Sequence, residues 1–99
     1  MNTGMSGLAL DTLAPGVEGY LVEHKGAVHY PVVLATHAGN GDVSRWLDSL
    51  PTTLTIKFPC VLSVQLQGML LRRGFVPVTE WIDEIDEEVE FYTREGRTP

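Results

Sequence analysis

Residues 62–75 read LSVQLQGMLLRRGF, a stretch that carries the signals for both ends of one helix. Ser63 is a favoured cap for the first turn, and the two arginines at 72–73 suit the negative end of the helix dipole. Gly74 fits the left-handed position that ends a helix, and Phe75 fits the apolar contact that follows it. The residues predicted to form the buried stripe of this helix are Leu62, Leu66, Met69 and Leu70.

A strand is predicted on each side of this helix, and a second helix is predicted earlier in the chain. Residues 53–58 alternate apolar and polar side chains as a half-buried strand does, and residues 76–82 are predicted to form the next strand. Asp42 is predicted to be the N-cap of the earlier helix, which Pro51 ends. The predicted apolar face of that helix consists of Val43, Trp46, Leu47 and Leu50.

Two hairpins complete the predicted order of elements. Residues 17–23 and 27–36 are predicted to pair across a short turn, and Pro31 predicts a bulge or a break in that pairing. The last strand, residues 87–94, is predicted to follow a turn at 83–86. In that strand Val89, Phe91 and Thr93 are expected to face the core, and Glu88, Glu90, Tyr92 and Arg94 are expected to face outward.

The predicted order is therefore β-β-α-β-α-β-β, which belongs to the α/β (α+β) class. A strand–helix–strand unit flanked by hairpins implies a mixed, mostly antiparallel sheet with two helices. Residues 17–99 are predicted to form a single domain, because 99 residues do not suffice for two cores. Residues 1–16 are rich in Gly, Ser and Thr and are predicted to form a flexible N-terminal arm.

Charge and cysteine content narrow the classes of function. The chain has 13 acidic and 7 basic residues and a net charge of -6, which argues against a nucleic-acid partner because phosphate binding needs a basic face. With no long apolar run and no basic residue before Lys25, neither a membrane span nor a signal peptide is expected. Cys60 is the only cysteine, which excludes an internal disulfide. The cytoplasm is the simplest expected location.

From residue 27 onward, the predicted order resembles the C-terminal half of the GNAT-type N-acyltransferase fold. In that family a strand leads into a loop of the form Arg/Gln-x-x-Gly-x-Gly/Ala before a helix, and residues 36–41 here read THAGNG. Both glycines match, but Thr36 stands where a long polar residue is usual. The stretch LQGMLLRRGF at 66–75 is similar to the family's later helix ending in Gly-Phe, and two strands follow it.

This resemblance implies binding of acetyl-CoA or another acyl-CoA and transfer of the acyl group to an amine. The chain is too short for the family's N-terminal half, so a truncated, degenerate member is expected. Leu70 occupies the position of the family's general-acid tyrosine, which leaves the catalytic residue unassigned. The coenzyme-binding residues that the resemblance implies are Leu34, Thr36, Gly39, Asn40, Gly41 and Ser63.

Two features of the residues themselves bear on ligand binding. A loop at 39–41 that precedes a helix can present backbone N–H groups to a pyrophosphate, or it can be a simple connection, and Asp42 opposes an anionic ligand. His24 and His29 can approach each other across a hairpin turn, but no further ligands at metal-site spacing accompany them, so no metal is expected. His37 lies beside the loop and can touch a ligand there.

An alternative class of function follows from the acidic end of the chain, where eight of the 13 acidic residues lie between positions 80 and 95. They indicate either a solvated hairpin or a surface for a basic protein partner, which would make the chain a non-catalytic interaction protein of regulatory or host-takeover type. Unpaired sheet edges also predict a homodimer, with Trp81 as a candidate contact. The residues predicted to bind a protein partner are Glu84, Asp86, Glu87 and Glu88.

Overall fold

The computed structural model describes residues 10–97 and has the α+β architecture that the sequence predicts. The strands are β1 (Asp11–Ala14), β2 (Val17–His24), β3 (Ala27–Ala35), β4 (Thr55–Pro59), β5 (Val76–Ile82) and β6 (Glu87–Arg94), and the helices are α1 (Asp42–Ser49) and α2 (Val64–Leu71). The strands form one mixed sheet in the order β1-β2-β3-β4-β6-β5, in which β3 and β4 are parallel and every other neighbouring pair is antiparallel.

Strand β1 is the main addition to the predicted order. Residues 11–14 lie within the predicted flexible arm, yet they pair with β2, and Leu13 and Ala14 pack against the core. The strand is too short and irregular to give a periodic signal in the sequence. The rest of the predicted arm, residues 1–9, lies outside the described residues.

Both helices pack against the same face of the sheet. Trp46 and Leu47 of α1 and Leu70 of α2 belong to one buried cluster with side chains from the central strands. On the sheet side this cluster contains Val28, Tyr30, Ile56, Phe58 and Tyr92. Because side chains alternate along a strand, the neighbours of these residues point to the opposite face, which neither α1 nor α2 covers. We call this opposite face the open face.

Helix α2 has the termini that its sequence predicts. The Ser63 side chain accepts a hydrogen bond from the Leu66 N–H at 3.1 Å, which caps the first turn. At the other end Gly74 has φ +88°, its N–H donates to the Leu71 carbonyl, and the Phe75 N–H donates to the Leu70 carbonyl. This pair of bonds is the Schellman motif, and Phe75 is fully buried, so the helix end is tied to the core.

Three predicted placements are wrong. Leu62 is 90% exposed, because it lies in the extended connection before α2 and outside the helical stripe. The two faces of β6 are the reverse of the prediction: Tyr92 is 7% exposed and belongs to the cluster under the helices, whereas its neighbour Phe91 is buried on the open face beside His29. Asp42 is the first residue of α1 instead of its N-cap, which is Gly41 in the left-handed conformation. The predicted strand at 53–58 also begins later, at Thr55, and includes Pro59.

Alanine substitutions at Gly68, inside α2, and at Gly74, just after it, are expected to change the free energy of unfolding in opposite directions. Gly74→Ala forces a Cβ into a left-handed conformation and should lower the free energy of unfolding by roughly 1–2 kcal/mol. Gly68 lies inside α2, and an added Cβ would meet only the Arg72 guanidinium at an ordinary 3.5 Å. Gly68→Ala should therefore raise the free energy of unfolding by roughly 0.5–1 kcal/mol. Urea titration measures both changes, and shifts of the same sign would contradict the assignment of the helix end.

Candidate functional site

The sheet opens between its two parallel strands. Strands β3 and β4 pair only from Ala27 to His29 on β3 and from Thr55 to Lys57 on β4. Strand β3 nevertheless continues to Ala35, where β2 pairs with it on the other side. Beyond His29, the edge of β3 that faces β4 therefore has no strand partner, and its backbone polar groups are available to a ligand.

A cavity of about 250 Å³ fills this opening on the helix-covered face. We call it the cleft cavity. Its walls come from the unpaired part of β3, from the end of β4 and from the start of α2, and they are mostly apolar. Its lining residues include Tyr30, Pro31, Leu34, Pro59, Cys60 and Ser63.

A second cavity, of about 420 Å³, lies where β3 ends and α1 begins. We call it the loop cavity. It is bounded by the glycine loop, by the first turn of α1, by Gln65 and Met69 of α2, and by Arg72 just after that helix. Both cavities border the start of α2, because Leu66 lines the first and Gln65 lines the second. An elongated ligand can therefore follow the end of β3 from one cavity to the other.

The electrostatics of the loop cavity are more favourable to an anion than the sequence indicates. No side chain caps α1, so the N–H groups of its first turn lack the acceptor that a cap would provide. The Asp42 carboxylate forms an ion pair with Arg45, which offsets its charge. Arg72 adds a guanidinium to the wall and forms no ion pair within residues 10–97. An anionic group would thus meet N–H donors, the positive end of a helix dipole and a cation.

The six predicted coenzyme-binding residues divide between the cavities. Leu34 and Ser63 line the cleft cavity, whereas Gly39 and Gly41 line the loop cavity. Thr36 and Asn40 line neither cavity. The Thr36 hydroxyl lies 3.2 Å from Nδ1 of His37, and the backbone N–H of Thr36 donates to the Gly16 carbonyl. His37 lines the loop cavity, as the sequence allowed.

Sequence reasoning missed Arg72 and Tyr30 as wall residues. It assigned Arg72 to the dipole of α2, and only the packing of α2 beside α1 shows that its side chain faces a cavity. Tyr30 is buried against Phe58 and Trp46, and this burial raises the pKa of its phenol. Leu70, which the resemblance aligns with a general-acid tyrosine, is fully buried in the core and offers no titratable group to either cavity.

The cleft also opens toward the other side of the sheet. A groove of about 390 Å³ crosses the open face, between the hairpin of β2 and β3 and the hairpin of β5 and β6. Pro31 and Pro59 line both this groove and the cleft cavity, so the opening between β3 and β4 can be reached from both faces. The other lining residues of the open-face groove are Val22, His24, His29, Ile82, Glu84, Ile85, Val89 and Phe91.

A cluster of titratable side chains stands at one end of this groove. The rings of His24 and His29 lie 5.9 Å apart, as the hairpin predicts, and the His29 ring also packs edge-on against Phe91. Lys57 forms an ion pair with Glu80 at 2.7 Å beside them. Burial lowers the pKa of His29, and the charges of Lys57 and His24 lower it further. Among residues 10–97, no group of three or more His, Cys, Asp or Glu side chains is placed to hold a metal ion.

The predicted partner-binding carboxylates lie on the hairpin of β5 and β6. Glu84 lines the open-face groove, and Asp86, Glu87 and Glu88 are exposed at the turn and the start of β6. None of these four carboxylates forms an ion pair within the described part of the chain. Their charge is therefore available to a partner.

Comparisons of the chain with protein-family models, with curated proteins and with solved structures give no match. No helix between residues 10 and 97 is both long and apolar enough to cross a bilayer.

The lowered pKa of His29 is expected to make stability depend on pH. The unfolded imidazole has a pKa near 6.5, so the unfolded chain binds more protons than the folded chain just below that pH. The contribution of His29 to the free energy of unfolding is then complete above about pH 6.5. It is lost as the pH falls through the pKa of His29 in the folded chain. His29→Gln should make the fall in urea midpoint between about pH 7.5 and 5.5 shallower than in the unsubstituted chain.

The exposed His37 provides a matched control for this measurement. His37→Gln should leave the pH dependence of the urea midpoint unchanged. Equal pH dependence in His29→Gln and the unsubstituted chain would show that burial of His29 does not control proton uptake.

Proposed function

We propose that this chain binds an acyl-CoA thioester along the unpaired end of β3 and transfers the acyl group to an amine that enters by the open-face groove. The observation that carries the proposal is the opening between β3 and β4, which joins a cavity on one face to a groove on the other at Pro31 and Pro59. The order of elements from β3 onward, with a glycine loop before α1 and a Gly-Phe ending after α2, supports the same proposal.

The loop cavity suits the pyrophosphate of the coenzyme. Gly41 adopts φ +75°, and a Cβ added at Gly39 would meet nothing within 4 Å, so an anion can approach the backbone of this loop closely. The first-turn N–H groups of α1 would donate to the phosphates, and Arg72 would supply the countercharge. The Asp42–Arg45 ion pair offsets the repulsion that Asp42 alone would cause.

The cleft cavity suits the amide-bearing arm that carries the thioester. Its walls are mostly apolar, and the free edge of β3 supplies backbone donors and acceptors for amide groups, as a neighbouring strand would. The thioester would then lie near Pro31 and Pro59, where the sheet can be reached from the open face. When bound, the coenzyme would supply an activated acyl group, and the apolar walls of the cleft cavity would position that group.

The amine would attack the thioester carbonyl carbon, the carbon–sulfur bond would break, and the sulfur would leave with the bonding electrons. His29 faces the groove with a lowered pKa, so its neutral imidazole can accept the proton that the amine loses. Leu70 provides no proton donor for the departing thiolate. Turnover is therefore expected to be slow compared with an enzyme that has a general acid at that position.

Isothermal titration with acetyl-CoA tests the proposal. The chain should show saturable 1:1 binding, and Arg72→Glu should weaken it at least tenfold, because the substitution replaces a countercharge with a repulsive charge. His29→Gln should leave acetyl-CoA binding unchanged but lower the rate of free thiol release in the presence of an amine acceptor.

Arg97→Glu makes the same change of charge at an exposed arginine that lines neither cavity of the proposed site, and it should bind acetyl-CoA normally. No heat of binding at millimolar acetyl-CoA would overturn the proposal. Binding that Arg72→Glu and Arg97→Glu weaken equally would place the coenzyme elsewhere. Binding without thiol release would retain the coenzyme site and reject the transfer step.

A non-catalytic interaction protein is the second candidate, and the unpaired acidic hairpin favours it. Within residues 10–97, no ion pair neutralises the carboxylates of Glu84, Asp86, Glu87 and Glu88. Such a surface attracts a basic protein and accelerates its association.

Charge reversal at Glu87 and Glu88 distinguishes this candidate from the first. In a pull-down with the tagged chain, Glu87→Lys/Glu88→Lys should lose at least nine-tenths of a specific partner, because two attractive charges become repulsive. Glu23→Lys changes an exposed carboxylate on β2 and should retain the partner. If no partner is recovered, or if all variants recover it equally, the acidic hairpin is not the binding surface.

A further inference from the structure

The open-face groove continues into a smaller cavity of about 90 Å³, which we call the charged cavity. The residues that line both spaces are His24, His29, Ile82, Glu84 and Phe91. The residues that line the charged cavity but not the groove are Lys25, Lys57, Glu80 and Trp81. A ligand that fills both spaces therefore needs a small polar head and an apolar body.

The charges in the wall of the charged cavity balance, because Lys25 and Lys57 are matched by Glu80 and Glu84. Lys57 and Glu80 form an ion pair at 2.7 Å, whereas Lys25 and Glu84 form none within residues 10–97. A head with a net charge would be attracted by one sign and repelled by the other. A zwitterionic head meets both signs favourably, since its own two charges can lie antiparallel to the Lys57–Glu80 pair.

The Lys57–Glu80 pair keeps hydrogen-bonding capacity for such a head. An ammonium has three donors, and the Lys57 ammonium donates to Oε2 of Glu80, which leaves Oε1 of Glu80 with no donor among the described residues. The side chains of Lys57 and Glu80 are 18% and 34% exposed, so the pair is partly shielded from bulk water. Charges in such a setting interact more strongly than charges in bulk water do.

The groove beyond the charged cavity suits an apolar body. Val22, Ile85 and Val89 line it there, together with the prolines at the opening between β3 and β4. Val22 is 49% exposed and Ile85 is 54% exposed, so apolar surface is left for a ligand to cover. The groove volume of about 390 Å³ lies at the lower end of the range for small-molecule sites, roughly 300–1,000 Å³.

We propose that the open face binds a free α-amino acid with an apolar side chain, and that its α-amine is the acyl acceptor. The carboxylate of the amino acid lies against Lys25 and Lys57, the ammonium lies against Glu80 and Glu84, and the side chain fills the open-face groove. The role as acceptor rests on the acyl transfer proposed above, whereas binding of the amino acid does not.

His29 lies where the amine would lose its proton. Its ring lines both the charged cavity and the groove, and Pro31, two residues later, lines the opening to the cleft cavity. The bound ammonium transfers one proton to the neutral imidazole of His29, which releases it to solvent. The amine then attacks the thioester carbon, the carbon–sulfur bond breaks, and the proton that nitrogen loses on forming the amide neutralises the thiolate.

NMR titration of the isotope-labelled chain with leucine and three matched probes tests the site without any coenzyme. Leucine should bind about tenfold more tightly than asparagine, because the polar side chain of asparagine loses its water in an apolar groove. Leucinamide lacks the carboxylate and 4-methylpentanoate lacks the amine. Each should also bind about tenfold more weakly than leucine, since each leaves charged groups of the wall without a partner.

Three results of this titration would overturn the proposal. Leucinamide that binds as tightly as leucine would identify a simple amine or a peptide N-terminus as the ligand. Equal binding of 4-methylpentanoate would identify an anionic ligand, and no binding of leucine at tens of millimolar would show that the face holds no amino acid.

Charge-removing variants locate the two ends of the amino acid. Glu84→Gln and Lys25→Gln should each weaken leucine binding about threefold, the size expected for one exposed charge pair. Lys25→Gln should also cost leucine more affinity than leucinamide, which has no carboxylate to lose a partner. Glu87→Gln changes an exposed carboxylate of the same hairpin that lines neither space, and it should bind leucine normally. If Glu87→Gln and Glu84→Gln weaken binding equally, the head does not lie in the charged cavity.

Thiol release from acetyl-CoA in the presence of leucine separates this inference from the function on which its second half rests. Leucine should accelerate the release, and asparagine should do so less. Leucine that binds without accelerating release would leave the amino-acid site in place and reject its role as acceptor. A chain that binds no acetyl-CoA would fail the proposed function, and the leucine titration would still decide whether the site exists.

Discussion

The aromatic cluster of Tyr30, Phe58, Trp46 and Phe75 holds the molecule together where its backbone pairing stops. The Tyr30 and Phe58 rings stack with centroids 5.3 Å apart across the boundary between β3 and β4, just past the last paired residues. Trp46 of α1 meets Tyr30 edge-on at 4.9 Å, and Phe75 meets Phe58 in the same manner at 5.3 Å. Ring contacts thus replace the hydrogen-bond ladder, and the strands can separate beyond them without losing the core. Both the cleft cavity and its opening to the other face depend on this replacement of backbone hydrogen bonds by ring contacts.

The same cluster orders the parts of the candidate site that lie on the helices. Because Trp46 anchors α1, the first turn of that helix and the glycine loop before it stay at the end of β3. Phe75 anchors the end of α2, and the Schellman motif fixes the turn in which Arg72 lies. Arg94 stacks over the outer side of Phe75 with its guanidinium 4.6 Å from the ring centre. Burial and the neighbouring Arg97 lower the pKa of Arg94, which reflects how closely these side chains are packed.

Much of the fold could be predicted from local signals. The cap at Ser63, the left-handed Gly74 and the burial of Phe75 are written in consecutive residues, so the structure reproduces them. Strand β1 could not be predicted, because four irregular residues have no detectable period. The two faces of β6 were predicted in reverse, because Phe91 and Tyr92 are adjacent, aromatic and both buried, so alternation alone does not show which of them lies under the helices.

The candidate site was less predictable than the fold. The glycine loop was visible in the sequence, since its residue types are needed for its backbone conformation. The cleft was not, because it depends on where parallel pairing stops and on how α1 and α2 pack over it. Arg72 and His29 have different roles in the structure from those that their sequence neighbours indicate, since each faces a cavity built by distant segments.

The packing of Leu70 explains why the proposed site would favour coenzyme binding over rapid chemistry. Its side chain is fully buried in the shared core, and its carbonyl accepts the Phe75 N–H that closes α2. A tyrosine there would have to either displace core side chains or bury a hydroxyl, and both changes cost stability in a small domain with little margin. The position at which the GNAT resemblance would place a proton donor is thus occupied by a side chain that packs α2 against the sheet. In the proposed reaction the two cavities would hold the coenzyme, while the core leaves no room at this position for a group that would speed the departure of the thiolate.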